Sequence, residues 1–341
     1  MIIRSKSPLR IGLAGGGTDV SPYSEEFGGA ILNATVSLYS YATIEPTNDG
    51  KIVLHALDRK ERFEFDSTME LPIDGHLDLL KGIYNRVVRD YTRKPLSFRL
   101  STYVDAPAGS GLGTSSGLVV AILNAFAEWL SLPLGEYELA HLAYAIERKD
   151  LGQAGGKQDQ YAAAFGGVNF MEFYADDKVI VNPLRIKENY LNEMQYCLLL
   201  YYTGTSRLSS KIIEMQSGNV SQKKGKSIEA MHKLKEQAVM MKEAILRGQL
   251  NQIGEILNFG WQFKKQTADG ISNPMIDEIY EAALASGATG GKISGAGGGG
   301  FMFFWCPGFT RYAVIERLHK FGGEFRRFQF TQQGATAWLA K

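Results

Sequence analysis

Glycine is crowded into a few short stretches of this 341-residue chain, and those stretches restrict its fold more than any other feature. Glycine lacks a Cβ, so it enters left-handed conformations and lets backbone approach a ligand closely, at a cost in chain entropy on folding. Eighteen of the 38 glycines fall at residues 12–17 (GLAGGG), 109–113 (GSGLG), 152–156 (GQAGG) and 287–300 (GATGGKISGAGGGG). Any one cluster would serve as turn punctuation. Several of them, set beside polar and acidic residues and flanked by regular elements, point to a phosphate site.

The clearest cluster reads Pro107-Ala108-Gly109-Ser110-Gly111-Leu112-Gly113-Thr114-Ser115-Ser116. An extended, alternating segment (residues 96–104) enters it. A segment of helical period (115–130, with Leu118, Ile122, Phe126 and Trp129) leaves it. A glycine loop running into a helix start gathers unpaired N–H groups at the positive end of the helix dipole, which suits a phosphate. The hydroxyl of Thr114 or Ser115 has two readings there, a helix cap or a ligand for Mg²⁺. Two other phosphate motifs fail. Lys292 follows Gly291, but Ile293 stands where a Walker A motif needs Ser or Thr, and Ser286 where it needs its first Gly. Residues 295–300 match G-x-G-x-x-G but lead into Phe301-Met302-Phe303-Phe304, a strand pattern and not the helix a dinucleotide fold requires.

Composition narrows the function classes. Thirty-seven basic against 36 acidic residues leave a net charge of +1 with no long same-sign run, so no nucleic-acid or membrane-surface footprint is expected. No apolar run reaches the ~18 residues of a membrane span. The start MIIRSKSPLR has no apolar core of a secretory signal. Cys197 and Cys306 lie inside apolar runs and read as core residues, in keeping with a reducing cytoplasm.

The element pattern is mixed. Strands are expected at residues 10–14, 30–45, 51–58, 62–66 and 96–104, and helices at 76–91, 115–130 and 136–149. A hairpin follows at 167–173 and 178–181, then an apolar strand at 194–202. Long polar helices come next (207–216, 223–247, 249–265, 274–286), then a strand at 300–305, a helix at 310–320 and a strand at 324–330. The change of texture places a boundary near 185–195, giving units 1–190 and 191–341.

The 107–116 run resembles the central phosphate-binding motif of the GHMP kinases, the family of galactokinase and of homoserine, mevalonate and phosphomevalonate kinases. Ser7-Pro8-Leu9-Arg10-Ile11 through Asp19 is similar to that family's N-terminal motif, and Lys292-Ile293-Ser294-Gly295-Ala296-Gly297-Gly298-Gly299-Gly300 to its C-terminal one. The order and separations also agree. The resemblance implies an α+β fold: an N-terminal α+β domain with a left-handed βαβ unit, a ferredoxin-like C-terminal domain, and a cleft between them for ATP and a small alcohol. It implies Mg²⁺ ligands at Ser115 and Glu147, nucleotide contacts along residues 107–116, and Asp159 as base or orienter of the attacking hydroxyl. The last glycine motif, Gly297 and Gly298 included, would close the pocket. On the residues alone, Glu147 is also readable as a helix-end charge paired with Arg148 or Lys149, and Asp159 as a first-turn carboxylate.

The acceptor is read from the first motif. Where galactokinase-type enzymes carry Glu-His before Thr-Asp, this chain has Gly16-Gly17, then Thr18 and Asp19. That departure argues against galactose. The run from Leu9 to Asp19, with Glu26-Phe27-Gly28-Gly29-Ala30 after it, resembles the heptose-7-phosphate kinase branch of the family. L-fucokinase-like enzymes share much of it. The implied partners are ATP and a sugar phosphate, in the cytoplasm. An acceptor phosphate needs a cation, and Arg207, with Lys211, follows a strand at an expected helix start; Arg10 is the alternative. Two further classes are a sugar-sensing relative without turnover and a nicotinamide-dependent oxidoreductase. Retention of Ser115, Glu147 and Asp159 speaks against the first, and the strand after residue 300 against the second.

Overall fold

A computed structural model describes residues 1–205 and 209–341; Arg207, expected at the acceptor, lies outside the described residues. Along the chain run β1 (Ile2–Ala14), α1 (Tyr23–Phe27), β2 (Gly29–Pro46), β3 (Lys51–Ala56), β4 (Glu61–Asp66), α2 (Asp78–Val87) and β5 (Phe98–Val104). Then come α3 (Thr114–Leu130), α4 (Glu136–Tyr144), α5 (Gln158–Phe165), β6 (Val168–Phe173), β7 (Val179–Pro183) and α6 (Glu188–Cys197). The second half holds β8 (Leu198–Tyr202), α7 (Ser209–Ser221), α8 (Gly225–Arg247), α9 (Ile253–Lys264), α10 (Pro274–Ala285) and β9 (Gly290–Ile293). It ends with β10 (Phe301–Trp305), α11 (Arg311–Leu318), β11 (Glu324–Arg326) and β12 (Thr336–Ala340).

Two sheets organise these elements. The larger has the path β12-β1-β2-β5-β3-β4, with β6 and β7 continuing from β2. Its pairings are antiparallel except β3 with β5, whose connection carries β4 and α2. The alternation of β5 (Phe98, Leu100, Thr102 and Val104 inward; Arg99 and Tyr103 outward) covers one face of this sheet. Ile44, Leu54, Phe98 and Leu100 there meet Tyr84, Ile122 and Phe126 from α2 and α3. The smaller sheet has the order β11-β8-β10-β9, antiparallel throughout. With helices after β8 and β10, that is the strand order of a ferredoxin-like unit.

One core joins the halves. Leu9, Ile11, Leu32 and Leu112 pack with Met241, Leu257, Phe301, Phe303 and Trp305. Each such buried side chain contributes about 1.5–3 kcal/mol, so this shared core holds the two sheets in register.

Three elements differ from expectation. The apolar stretch 194–202 begins as helix, because Met194 and Cys197 bury one face of α6 before the chain extends at Leu198. The strand expected at 324–330 ends at Arg326, after which a single bridge ties Phe330 to Val36. The chain then returns to the first sheet, where β12 pairs with β1 (Ile3 opposite Leu339), so a unit drawn as 191–341 gives its last strand to the other half.

Candidate active site

The glycine clusters at 109–113 and 287–300 meet. Ser110 and Gly111 accept hydrogen bonds across the halves through their carbonyls, from Phe301 N (2.9 Å) and Ser294 Oγ (2.8 Å) respectively. Gly111 has φ +85°, and a Cβ there would lie 2.3 Å from the carbonyl oxygen of Ser294. Only glycine permits that conformation together with that approach. The loop thereby forms one wall of a cleft of about 470 Å³, with Gly295 and Ala296 opposite.

At the cleft end of this loop, α3 begins at Thr114 behind a left-handed Gly113, and no side chain caps its first turn. Neither hydroxyl plays the capping role that was one of its two readings. Ser115 Oγ instead donates to Glu147 Oε1 at 2.7 Å. Glu147 is fully buried on a wide, π-helical turn (Ala145–Asp150) that continues α4. Its other oxygen accepts from Gln160 Nε2 at 2.5 Å, and Arg148 Nη1 lies 3.7 Å away. Glu147 is therefore not a solvated charge, although the pairing with Arg148 that its helix-end reading expected is present. Its backbone carbonyl, tied to Gln153 N, anchors the glycine loop that follows.

Asp159, on the first turn of α5, receives Arg10 Nε at 2.6 Å and Nη2 at 2.5 Å, both at Oδ1. Arg10 stands on β1 between two register shifts, at Pro8/Leu9 and Gly12/Ala14, irregularities of the kind that re-aim side chains. Its Nη1 also donates to Gly111 O at 2.6 Å. One guanidinium thus ties the phosphate-loop candidate to the carboxylate expected at the acceptor hydroxyl. Two charge-assisted contacts from one guanidinium hold the carboxylate in place.

Asp19 is buried beside this pair and accepts from Gln158 N at 3.0 Å, while its Oδ1 has no partner among the described residues. Burial raises its pKa above the ordinary aspartate value, and the charge of Asp159 adds to the effect. Gln158 N and Arg10 oppose it.

Several expected contacts are placed otherwise. Thr18 is fully buried, and its hydroxyl bonds the carbonyls of Gly15 and Ala30 and accepts from Ala30 N, so it braces the first loop and does not reach the cleft. Gly16 presents its carbonyl to Lys264, whereas Gly17 lines the cleft. Leu112 is a core side chain whose carbonyl accepts from Arg10 N. Pro107 accepts from Ser110 N, and Ser110 is itself buried, so both shape the loop from behind. Gly297 packs against Ile271, and Gly298 N bonds Ile271 O at 2.8 Å; Gly295 and Ala296 face the cleft in their place.

Sequence reasoning missed Lys264. It ends the buried row of α9 (Ile253, Leu257, Gly260, Lys264), a lysine where the helical period asks for an apolar residue. That was a usable signal. It is buried, donates to Gly16 O at 3.0 Å and lines the cleft. Burial pushes its pKa down to about 8. Lys292, in the last motif, is likewise buried on Gly12 O (3.0 Å) and pushed down to about 7, with Lys264 and Arg10 adding repulsion.

Residues 78–167 match the description "GHMP kinases N terminal domain" and residues 241–324 "GHMP kinases C terminal". The chain belongs to the GHMP kinase family and has its fold. Across 98% of both chains it is 50% identical to a protein of Campylobacter jejuni named D-glycero-alpha-D-manno-heptose 7-phosphate kinase. The solved structure of a D-glycero-D-manno-heptose 1-phosphate kinase from Bacteriodes thetaiotaomicron superposes with a TM-score of 0.85 at 47% identity, covering 99% of each chain. An L-fucokinase/L-fucose-1-P guanylyltransferase of Bacteroides fragilis is 27% identical over 89% of this chain and 34% of its own length. Among the described residues no helix is long and apolar enough to cross a membrane.

Proposed function

We propose that this protein transfers the γ-phosphoryl group of ATP to the anomeric hydroxyl of D-glycero-D-manno-heptose 7-phosphate. The product would be the 1,7-bisphosphate, a precursor of nucleotide-activated heptose for surface glycans. The observation that carries the reading is the convergence, in one cleft, of the uncapped start of α3, the Ser115–Glu147 pair and an Asp159 clamped by Arg10. Phosphoryl transfer asks the protein mainly to position the reactants and to stabilise charge on the moving group. Amide groups of residues 109–116 would cradle the β- and γ-phosphates. Asp159 would accept a hydrogen bond from the attacking hydroxyl and take its proton as the new P–O bond forms, while Arg10 holds the carboxylate in line. Asp19, through its free Oδ1, would accept from a neighbouring sugar hydroxyl.

Mg²⁺ fits the same site. Ser115 Oγ and Glu147 Oε1 are hard oxygen donors 2.7 Å apart. Mg²⁺ is commonly held by one or two protein oxygens plus substrate phosphates. Bound there, it would neutralise developing charge on the phosphate oxygens.

The two heptose-kinase relatives bear names that place the existing phosphate differently, at C7 and at C1. Transfer to the anomeric oxygen requires that C1 be free. A panel of heptose 7-phosphate, mannose, fucose and galactose, assayed by ADP release with the new phosphate located by NMR, tests the proposal. A 1,7-bisphosphate formed with at least tenfold preference supports it; preferred turnover of fucose or galactose would overturn it.

A further inference from the structure

An acceptor that already carries phosphate brings about two negative charges into a cleft whose floor holds Asp19 and Asp159. Some cation must face that phosphate. Among the described residues, the cations lining the cleft are Arg10, Arg148 and Lys264. Arg10 is committed to Asp159 and to the carbonyl of Gly111. Arg148 lies against Glu147 and the Gly156 carbonyl, at the metal end. Lys264 differs from both. Its ammonium has three donors, of which one is used, on Gly16 O, and no carboxylate pairs with it among the described residues.

We propose that Lys264 is the residue that binds the acceptor's phosphate, an assignment resting on the acceptor reading above.

The surroundings of the side chain support this. Gly17 has φ +106°, and a Cβ on it would lie 3.2 Å from Lys264 Nζ and 3.7 Å from Gln216 Oε1. The bare backbone at Gly17 therefore keeps open the passage between the ammonium and the cleft. This is the position where galactokinase-type sequences place a bulky side chain. Lys264 touches the 15–19 loop through Gly16 O, whereas Arg10 bridges from Asp159 to Gly111. A sugar bound through its C1 oxygen at Asp159 and through a second hydroxyl at Asp19 would meet the 15–19 loop, which Lys264 touches in the same cleft.

The energetics agree with the geometry. A buried ammonium without a counterion is unfavourable, and the pKa of Lys264, pushed down to about 8, expresses that cost. Asp19 offsets it only partly, since its charge acts from beyond ion-pair distance and its own burial favours the neutral acid. A neutral sugar would leave the cation uncompensated. A phosphate would supply the missing charge.

The test compares the wild type with Lys264→Met and Lys264→Arg on two acceptors, heptose 7-phosphate and the unphosphorylated heptose, with ATP varied separately. For Lys264→Met the KM for heptose 7-phosphate should rise about 10- to 100-fold, the loss of one charge-assisted hydrogen bond. KM for ATP and for unphosphorylated heptose should move less than about threefold, and Lys264→Arg should recover part of the affinity. Equal increases for both acceptors would mark a hydroxyl contact or a structural role, and an increase confined to ATP a nucleotide contact. Either result, or no change, overturns the assignment. If Lys264→Met does not fold by circular dichroism, Lys264→Gln is read by the same acceptor comparison. Should the wild type fail to phosphorylate heptose 7-phosphate, the acceptor reading falls; a wild type that does so, beside an unaffected Lys264 variant, removes only the present inference.

Discussion

Replacing Gly111 with alanine perturbs the contact on which the cleft's geometry depends. The new methyl would start 2.3 Å from Ser294 O and 2.9 Å from Ser294 C, both backbone atoms, where ordinary contact begins near 3.4 Å. The two glycine loops must therefore separate by about 1 Å. The left-handed φ of +85° adds about 1–2 kcal/mol of strain for a residue with a Cβ. Loss of the Ser294–Gly111 and Phe301–Ser110 hydrogen bonds adds about 0.5–1.5 kcal/mol each. We predict a destabilisation of roughly 2–5 kcal/mol by urea unfolding, in line with these losses. We also predict a fall in kcat of about 100-fold, because a displacement near 1 Å at the phosphate loop spoils alignment. Gly50→Ala is the control: φ is +70° and nothing lies within 4 Å of the added carbon, so it should lose about 1 kcal/mol with kcat unchanged. A Gly111→Ala enzyme whose kcat in the ADP-release assay stays within about threefold of wild type would refute the argument that this close approach sets the site.

Asp159→Asn should lower kcat by about 10²–10⁴-fold while ATP binding, measured by calorimetry, survives; near-normal turnover would remove the carboxylate from the reaction. Glu147→Gln should raise the Mg²⁺ concentration needed for half-maximal activity by about tenfold or more, and an unchanged Mg²⁺ titration would detach that side chain from the metal. Lys264 makes a prediction about stability against pH. Its folded pKa, about 8, lies below the ordinary lysine value of 10.5, so below pH 8 both states hold the proton and the folded state bears the whole cost of burying it. Between 8 and 10.5 the unfolded chain binds more protons, and stability rises with pH. Lys264→Met should therefore be more stable than wild type at pH 7, by on the order of 3 kcal/mol, with the difference shrinking toward pH 10. Urea midpoints at pH 7 and 9.5 measure it, and a gap that does not narrow would contradict the burial argument.

Much of this protein was legible in the order of its residues. Backbone conformations that only glycine tolerates are local demands, and they appear as written at residues 109–113. The alternation of β5 and the helical period of α3 and α9 likewise follow from spacing alone. Ser115, Glu147 and Asp159 were singled out through the resemblance of these motifs to the GHMP kinases. Their partners were not. Arg10 and Asp159 are 149 positions apart, Lys264 and Gly16 are 248 apart, and only the packing of two sheets on a shared core brings them together. Packing also assigned each hydroxyl its work: Ser115 turns to a buried acid, while Thr18, which reads as a site residue, is spent on the backbone of its own loop. It also sent β12 back to the strand at which the chain begins. Local backbone preference acts over a few residues and is written in them, whereas a contact across a cleft is the joint product of every element between its two ends.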